Sequence, residues 1–184
     1  MKTVEQHLEL TRQRTPSFQM MVNHLKGIDN PLIVETGCIR EAEDYGAGCS
    51  TEIFDQYLNE NGGRFYSVDN SPTNVIFAKT QVTNNNTNIV LSDSVAFLKQ
   101  FNKNEKIDLL YLDSYDFYEG IEHESSLHHI FELLAICPSL TEKTMVVVDD
   151  NFGNKGKGYY IKQYMDLIGN ERIYNGYQWI WMWK

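Results

Sequence analysis

The segment Leu32-Ile33-Val34-Glu35-Thr36-Gly37 decides the fold. An apolar run that stops at an acid and then a glycine reads as a buried parallel strand ending in a tight turn, because a strand covered on both faces needs no polar alternation. Gly46-Ala47-Gly48-Cys49-Ser50-Thr51 follows. At Gly48 the missing side chain lets backbone N–H groups approach a ligand closely, and Ser50 or Thr51 can cap the helix that starts there. In open α/β sheets ligands sit at the carboxyl ends of strands where the strand order reverses, so this turn is the expected ligand site.

Working outward, Arg64-Phe65-Tyr66-Ser67-Val68-Asp69 is a second strand that also ends in an acid. A carboxylate at that tip can accept two hydrogen bonds from the vicinal hydroxyls of a ribose. Further strands are expected at 88–91, 107–113 and 145–150, and Asn175-Gly176 turns a terminal hairpin between 171–174 and 177–183. Helices are expected between them, at about 51–58, 72–82, 94–101, 124–136 and 159–167. In the 124–136 helix the apolar set Leu127, Ile130, Phe131, Leu133 and Leu134 is expected to face inward. Residues 1–30 read as a helical cap, two short helices broken near Thr15-Pro16, and residues 31–184 as the main α/β unit of the same domain. The fold class is therefore a doubly wound, Rossmann-like seven-stranded sheet, mostly parallel with an antiparallel last strand and helices on both faces.

Composition narrows the function. A chain of 184 residues with a net charge of −9 is poorly suited to a polyanion, since nucleic-acid affinity rests on Lys and Arg neutralising phosphates. Three cysteines, Cys38, Cys49 and Cys137, make neither a disulfide framework nor a C-x-x-C pattern, which fits a reducing, cytoplasmic setting. No apolar run approaches the ~20 residues of a membrane span. A small-molecule partner is the expectation, and a homo-oligomer is left open.

Glu35-Thr36-Gly37, Gly48-Cys49-Ser50-Thr51 and Tyr66-Ser67-Val68-Asp69, read together, resemble the class I S-adenosylmethionine (SAM)-dependent methyltransferases, and the terminal hairpin fits the same resemblance. Five acids, Glu35, Asp69, Asp93, Asp113 and Asp149 or Asp150, fall at strand ends. Such a rim suits a cationic sulfonium better than a pyrophosphate, and G-x-G-x-x-G is absent. A non-catalytic nucleotide-binding module and an NAD- or nucleotide-sugar-dependent enzyme stay open as alternatives. The resemblance implies SAM contacts from Glu35, Thr36, Gly37, Gly48, Ser50, Thr51, Asp69, Asn70, Asp93, Ser94 and Asp113, with Asp93 and its neighbour facing the adenine.

The resemblance extends to metal-dependent small-molecule O-methyltransferases of the catechol and caffeoyl-coenzyme A type. These end the fourth strand in an Asp and the fifth in an Asp-Asn pair that together hold a divalent metal. Leu112-Asp113 and Val148-Asp149-Asp150-Asn151 match that pattern, which implies Mg²⁺ on Asp113, Asp150 and Asn151. Where those enzymes carry a lysine base, this chain has Asp116. The run Asp113-Ser114-Tyr115-Asp116-Phe117-Tyr118-Glu119 also resembles the acidic stretch of macrolide-sugar O-methyltransferases. Asp113, Asp116 and His123 are the catalytic candidates, with His123 or His128 as a general base. Arg40 is expected either to pair with a carboxylate of cofactor or substrate or to lie in an exposed charged loop. Lys155 and Lys157, in a glycine-flanked basic turn, are expected either to meet an acidic substrate or to be solvated.

Overall fold

The computed structural model describes residues 2–46 and 49–184. Strands β1 (Leu32–Thr36), β2 (Arg64–Asp69), β3 (Thr87–Leu91), β4 (Leu109–Leu112) and β5 (Met145–Val148) run parallel. Two more sheet strands, β8 (Arg172–Asn175) and β9 (Trp179–Met182), form the terminal hairpin. Strand β9 pairs antiparallel with β5, which gives the sheet order β3-β2-β1-β4-β5-β9-β8. Between β5 and the hairpin, β6 (Asn151–Phe152) and β7 (Lys155–Gly156) make a small antiparallel pair outside the sheet.

The apolar runs are explained by burial on both faces. Ile33, Leu109, Tyr111, Val147 and Ile180 enter one core, and Val34, Leu110, Leu112, Val148, Trp179 and Trp181 enter the other. Helices α1 (Val4–Leu10), α2 (Thr15–Lys26) and α3 (Ser50–Asn61) cover the first face through Leu8, Phe18, Met21 and Phe54. Helices α5 (Ser94–Gln100), α6 (Glu122–Ile136) and α7 (Tyr159–Leu167) cover the second through Leu98, Leu133, Ile161 and Met165. Helix α4 (Pro72–Gln81) packs Val75 and Ala78 with Ile89 of β3. Local chemistry sets the helix starts: Ser71 accepts from Asn74 N–H ahead of α4, and Asp93 accepts from Ala96 N–H ahead of α5.

Two expectations shift. The break between the first helices falls on a 3₁₀ turn at Arg12–Arg14, and Pro16 sits inside the first turn of α2, where no N–H is needed. This cap is built into the core, since Phe18 stacks on Tyr111 at 5.9 Å and Val4, Met21 and Leu25 are buried. In α6, Phe131 and Leu134 are exposed, while Ser125, His129 and Glu132 are buried with Ile130 and Leu133. The helix is turned because Glu132 accepts hydrogen bonds from Thr36 Oγ1 and Ser114 Oγ at the sheet edge.

The strand order reverses between β1 and β4, and there the chain comes closest to itself. Gly37 has φ +82°, its N–H donates to Val68 O, and a Cβ at this position would lie 2.5 Å from the Asp113 carbonyl oxygen. No side chain fits that gap. Gly37→Ala should therefore lower unfolding free energy by at least about 2 kcal/mol, conformational strain and clash together. Gly62→Ala, at φ +79° with open space around it, should cost only about 1 kcal/mol. Urea unfolding of the two variants checks the contrast, and equal losses would refute the close-approach argument.

Candidate active site

Beneath the β1 turn, Glu35 is fully buried, and its Oε2 accepts from Thr51 Oγ1 at 2.7 Å and Ser67 Oγ at 2.5 Å. Its Oε1 has no protein partner among the described residues. Burial pushes its pKa up to about 7, against the hydrogen bonds of Ser50, Ser67 and Thr51. Thr36 and Thr51 are also buried. They act as supports, Thr36 toward Glu132 and Thr51 between Glu35 and Ile39 N–H. Gly48 lies outside the described residues.

Above them, Asp69 is held by N–H groups of Cys38 (3.3 Å) and Ser71 (2.7 Å) and by the Asn74 amide. It borders a polar cleft of about 180 Å³ with Gly37, Ser50, Asn70 and Asp113. A smaller hollow beside it is lined by Val68, Asp93, Ser94, Tyr115 and His128, with Ser94 Oγ 2.9 Å from His128 Nε2. The cradle over Gly37, the carboxylate fixed at the β2 tip and Asp113 on the cleft wall fit an adenosine ligand with a cationic end. Cys38 and Cys49 are buried beside this cleft, and burial raises both thiols, Cys49 to about 12, which removes them as nucleophiles at neutral pH.

The acids at the ends of β4 and β5 are largely neutralised from within. The ammonium of Lys157 pairs with Asp113 Oδ1 and, at 2.8 Å, with Asp150 Oδ2. Burial opposes the charge on Lys157, but Asp113, Asp150 and Asp149 outweigh it and hold the ammonium above its ordinary range. Arg14, from the 3₁₀ turn, pairs with Asp149 at 3.0 Å and Asp150 at 3.4 Å, stacks over the Tyr177 ring and donates to Gly46 O. Asp149 also accepts from Tyr111 Oη at 2.6 Å and from the Gln178 amide. Asp150 adopts φ +52°, a left-handed conformation fixed by Arg14, Lys157 and Tyr177.

These placements correct the expected rim of free carboxylates. Of the anticipated metal set, Asp113 and Asp150 converge on Lys157, while Asn151 is turned into the protein, donating to Val148 O and Asp149 O and accepting from Gly158 N–H. Among the described residues, no three His, Cys, Asp or Glu side chains stand where they could share a metal ion. Lys157 is neither solvated nor a surface contact. Asp116 is exposed and engaged by Arg40 through two hydrogen bonds at 3.1 and 3.0 Å, which gives Arg40 a protein carboxylate as its partner.

On the far side of the β6–β7 pair lies an open cleft of about 390 Å³ lined by Phe117, Glu122, His123, Lys155, Tyr159 and Tyr160. His123 Nδ1 is 2.8 Å from Tyr160 Oη, and Phe117 stacks on Phe152 at 6.2 Å. Gly156, beside Lys157, also lines this cleft, and Asp113 lines the polar one. Arg14, Tyr111, Glu132 and Gln178 were not read from sequence. Most of their partners are distant in the chain, 18 residues away for Ser114 on Glu132, 136 for Asp150 on Arg14 and 161 for Ser17 on Gln178, beyond any local pattern.

This sheet order with an inserted antiparallel last strand, and an acid-tipped β2 beside a glycine turn at the switch point, is that of the class I SAM-dependent methyltransferases. Residues 44–151 match the family described as "Methyltransferase domain", more than half of the chain, and the chain belongs to that family. No curated protein matches its sequence.

Among solved structures it is similar to MycE methyltransferase from the mycinamycin biosynthetic pathway, in complex with Mg, SAH and mycinamycin VI. The identity is 14% and the TM-score 0.63, over 91% of this chain and 48% of that one. It is similar to apo CalS11, a TDP-rhamnose 3′-O-methyltransferase of calicheamicin biosynthesis, at 15% identity and TM-score 0.66, over 94% and 82%. A putative rRNA-methylase from Clostridium thermocellum is similar at 14% identity and TM-score 0.59, over 90% and 95%. The chain thus spans about half the length of MycE, and at these identities the likeness is one of fold. Among the described residues no helix is long and apolar enough to cross a membrane.

Because native Glu35 holds its proton more tightly than the unfolded chain does, its contribution to stability is fully present below about pH 4.5 and lost as pH rises through about 7. Glu35→Gln should flatten that decline in the ligand-free protein by up to about 3 kcal/mol. Urea unfolding across this range checks it, and an unchanged pH profile would mean that Glu35 titrates normally.

Proposed function

We propose that the chain binds SAM in the polar cleft and moves its methyl group to a hydroxyl oxygen of a small molecule held in the aromatic cleft. The observation that carries this reading is the polar cleft at the strand-order reversal, lined by Gly37, Ser50, Asp113 and an Asp69 fixed at the tip of β2. Asp69 accepts the ribose hydroxyls, Asp93 and Ser94 border the adenine, and the Gly37 turn with Ser50 and Asp113 meets the amino-acid end, above the buried Glu35. When bound, SAM supplies a methyl group on a positively charged sulfur. The chain's own task is to hold the acceptor oxygen in line and to take its proton.

His123 is the proposed base, since Tyr160 orients its Nδ1 and its Nε2 has no protein partner among the described residues. Asp116, tied to Arg40, is assigned to shaping the cleft mouth. The ring-lined walls favour an acceptor with a stackable face, such as a sugar or an aromatic ring. The sugar O-methyltransferase named above supports that choice. A net charge of −9 disfavours a nucleic-acid acceptor.

Calorimetry tests the cofactor: SAM and S-adenosylhomocysteine should bind and NAD should not. Asp69→Ala should weaken nucleoside binding about 10- to 100-fold, the loss of charge-assisted hydrogen bonds. Binding of NAD alone, or full affinity in Asp69→Ala, would overturn the reading.

A further inference from the structure

We propose that Lys157 is the resident cation of this site, standing where related enzymes hold a divalent metal, so that this chain neither binds nor needs Mg²⁺ there. The pattern Asp113, Asp150, Asn151 would present three oxygens to a metal. Here the two carboxylates close on one ammonium instead, with Lys157 1% exposed and Asp113 and Asp150 13% and 22%.

The third oxygen is spent on holding the loop that carries the lysine. Asn151 Oδ1 accepts from Gly158 N–H at 2.9 Å, Lys157 N–H donates to Asp150 O at 3.2 Å, and Asn151 pairs with Gly156 across the β6–β7 hairpin. Both neighbours of Lys157 must be glycine for this. A Cβ on Gly156, at φ +135°, would meet Asp150 O and Asn151 Cα at 2.5 Å, and one on Gly158 would meet the Trp179 ring at 2.8 Å. The loop therefore packs flat against Asp150-Asn151 and turns the lysine stem inward.

Electrostatics makes the two cations exclusive. Asp113, Asp149 and Asp150 crowd the ends of β4 and β5, where burial and the neighbouring acids push Asp113 up against the pull of Lys157, and Arg14 with Lys157 supplies two positive charges. A divalent ion entering beside the ammonium would meet a like charge within a few ångströms, where repulsion is strong in a water-poor setting. Lys157 is thus a positioning residue that locks the ends of β4 and β5 together. The assignment deepens the reading of this site as a methyl-transfer centre, but its test reads metal binding without acceptor or turnover, so either can fail alone.

The probe is Mn²⁺, followed by electron paramagnetic resonance on the full chain. Wild type should show no site that depends on Asp150, and its S-adenosylhomocysteine affinity should be the same with and without chelator. Lys157→Ala should expose the carboxylates and bind Mn²⁺ at least about tenfold tighter than wild type. That gain should vanish on adding Asp150→Asn, and Lys157→Arg should not show it. A wild-type Mn²⁺ site lost in Asp150→Asn would overturn the proposal, whether or not Lys157→Ala folds. So would a Lys157→Ala protein that has a native circular dichroism spectrum and gains no Mn²⁺ binding.

Discussion

Asp113, Asp149 and Asp150 stand at the ends of adjacent strands β4 and β5, and their mutual repulsion away from water must be met by cations supplied from elsewhere in the chain. Arg14 comes from the amino-terminal cap and Lys157 from the hairpin after β5. Breaking such a buried arrangement is costly because it strands an uncompensated charge, typically about 3 to 5 kcal/mol for one partner removed. Much of the architecture outside the sheet can be understood as the means of delivering these two groups.

The amino-terminal helices illustrate the point. They pack Phe18 on Tyr111, while Ser17 reaches Gln178, Gln178 reaches Tyr111, and Tyr111 donates to Asp149. The cap is thereby fixed to the strand that ends in Asp113 and to the carboxylate that binds Arg14. On the opposite face α6 accepts two exposed apolar residues so that Glu132 can reach Thr36 and Ser114. Polar satisfaction at the strand ends thus sets the orientation of helices on both sides.

The same fold carries different acceptors in its structural relatives, from a TDP-sugar enzyme to a putative rRNA-methylase. One fold serves many acceptors, and the side chains that line its clefts, not the sheet, carry the difference. In this chain the loop after β4 brings Phe117, and the first turns of α6 and α7 bring His123, Tyr159 and Tyr160, around one cleft. The hairpin after β5 also places a fixed ammonium next to it.

The chain's own order of residues determined the strands, their burial on both faces, the glycine turn at Gly37 and the acids that tip β1, β2, β4 and β5. Each is a local signal: an unbroken apolar run, a residue without Cβ, a charge at the point where the run stops. Only the tertiary structure decided which of those acids stay free. Glu35 sinks beneath the turn, Asp69 remains at the cleft, and Asp113 and Asp150 close on Lys157. Whether a carboxylate is bare, capped or neutralised depends on partners brought from remote parts of the chain, and the charge balance that selects them exists only once the sheet has formed.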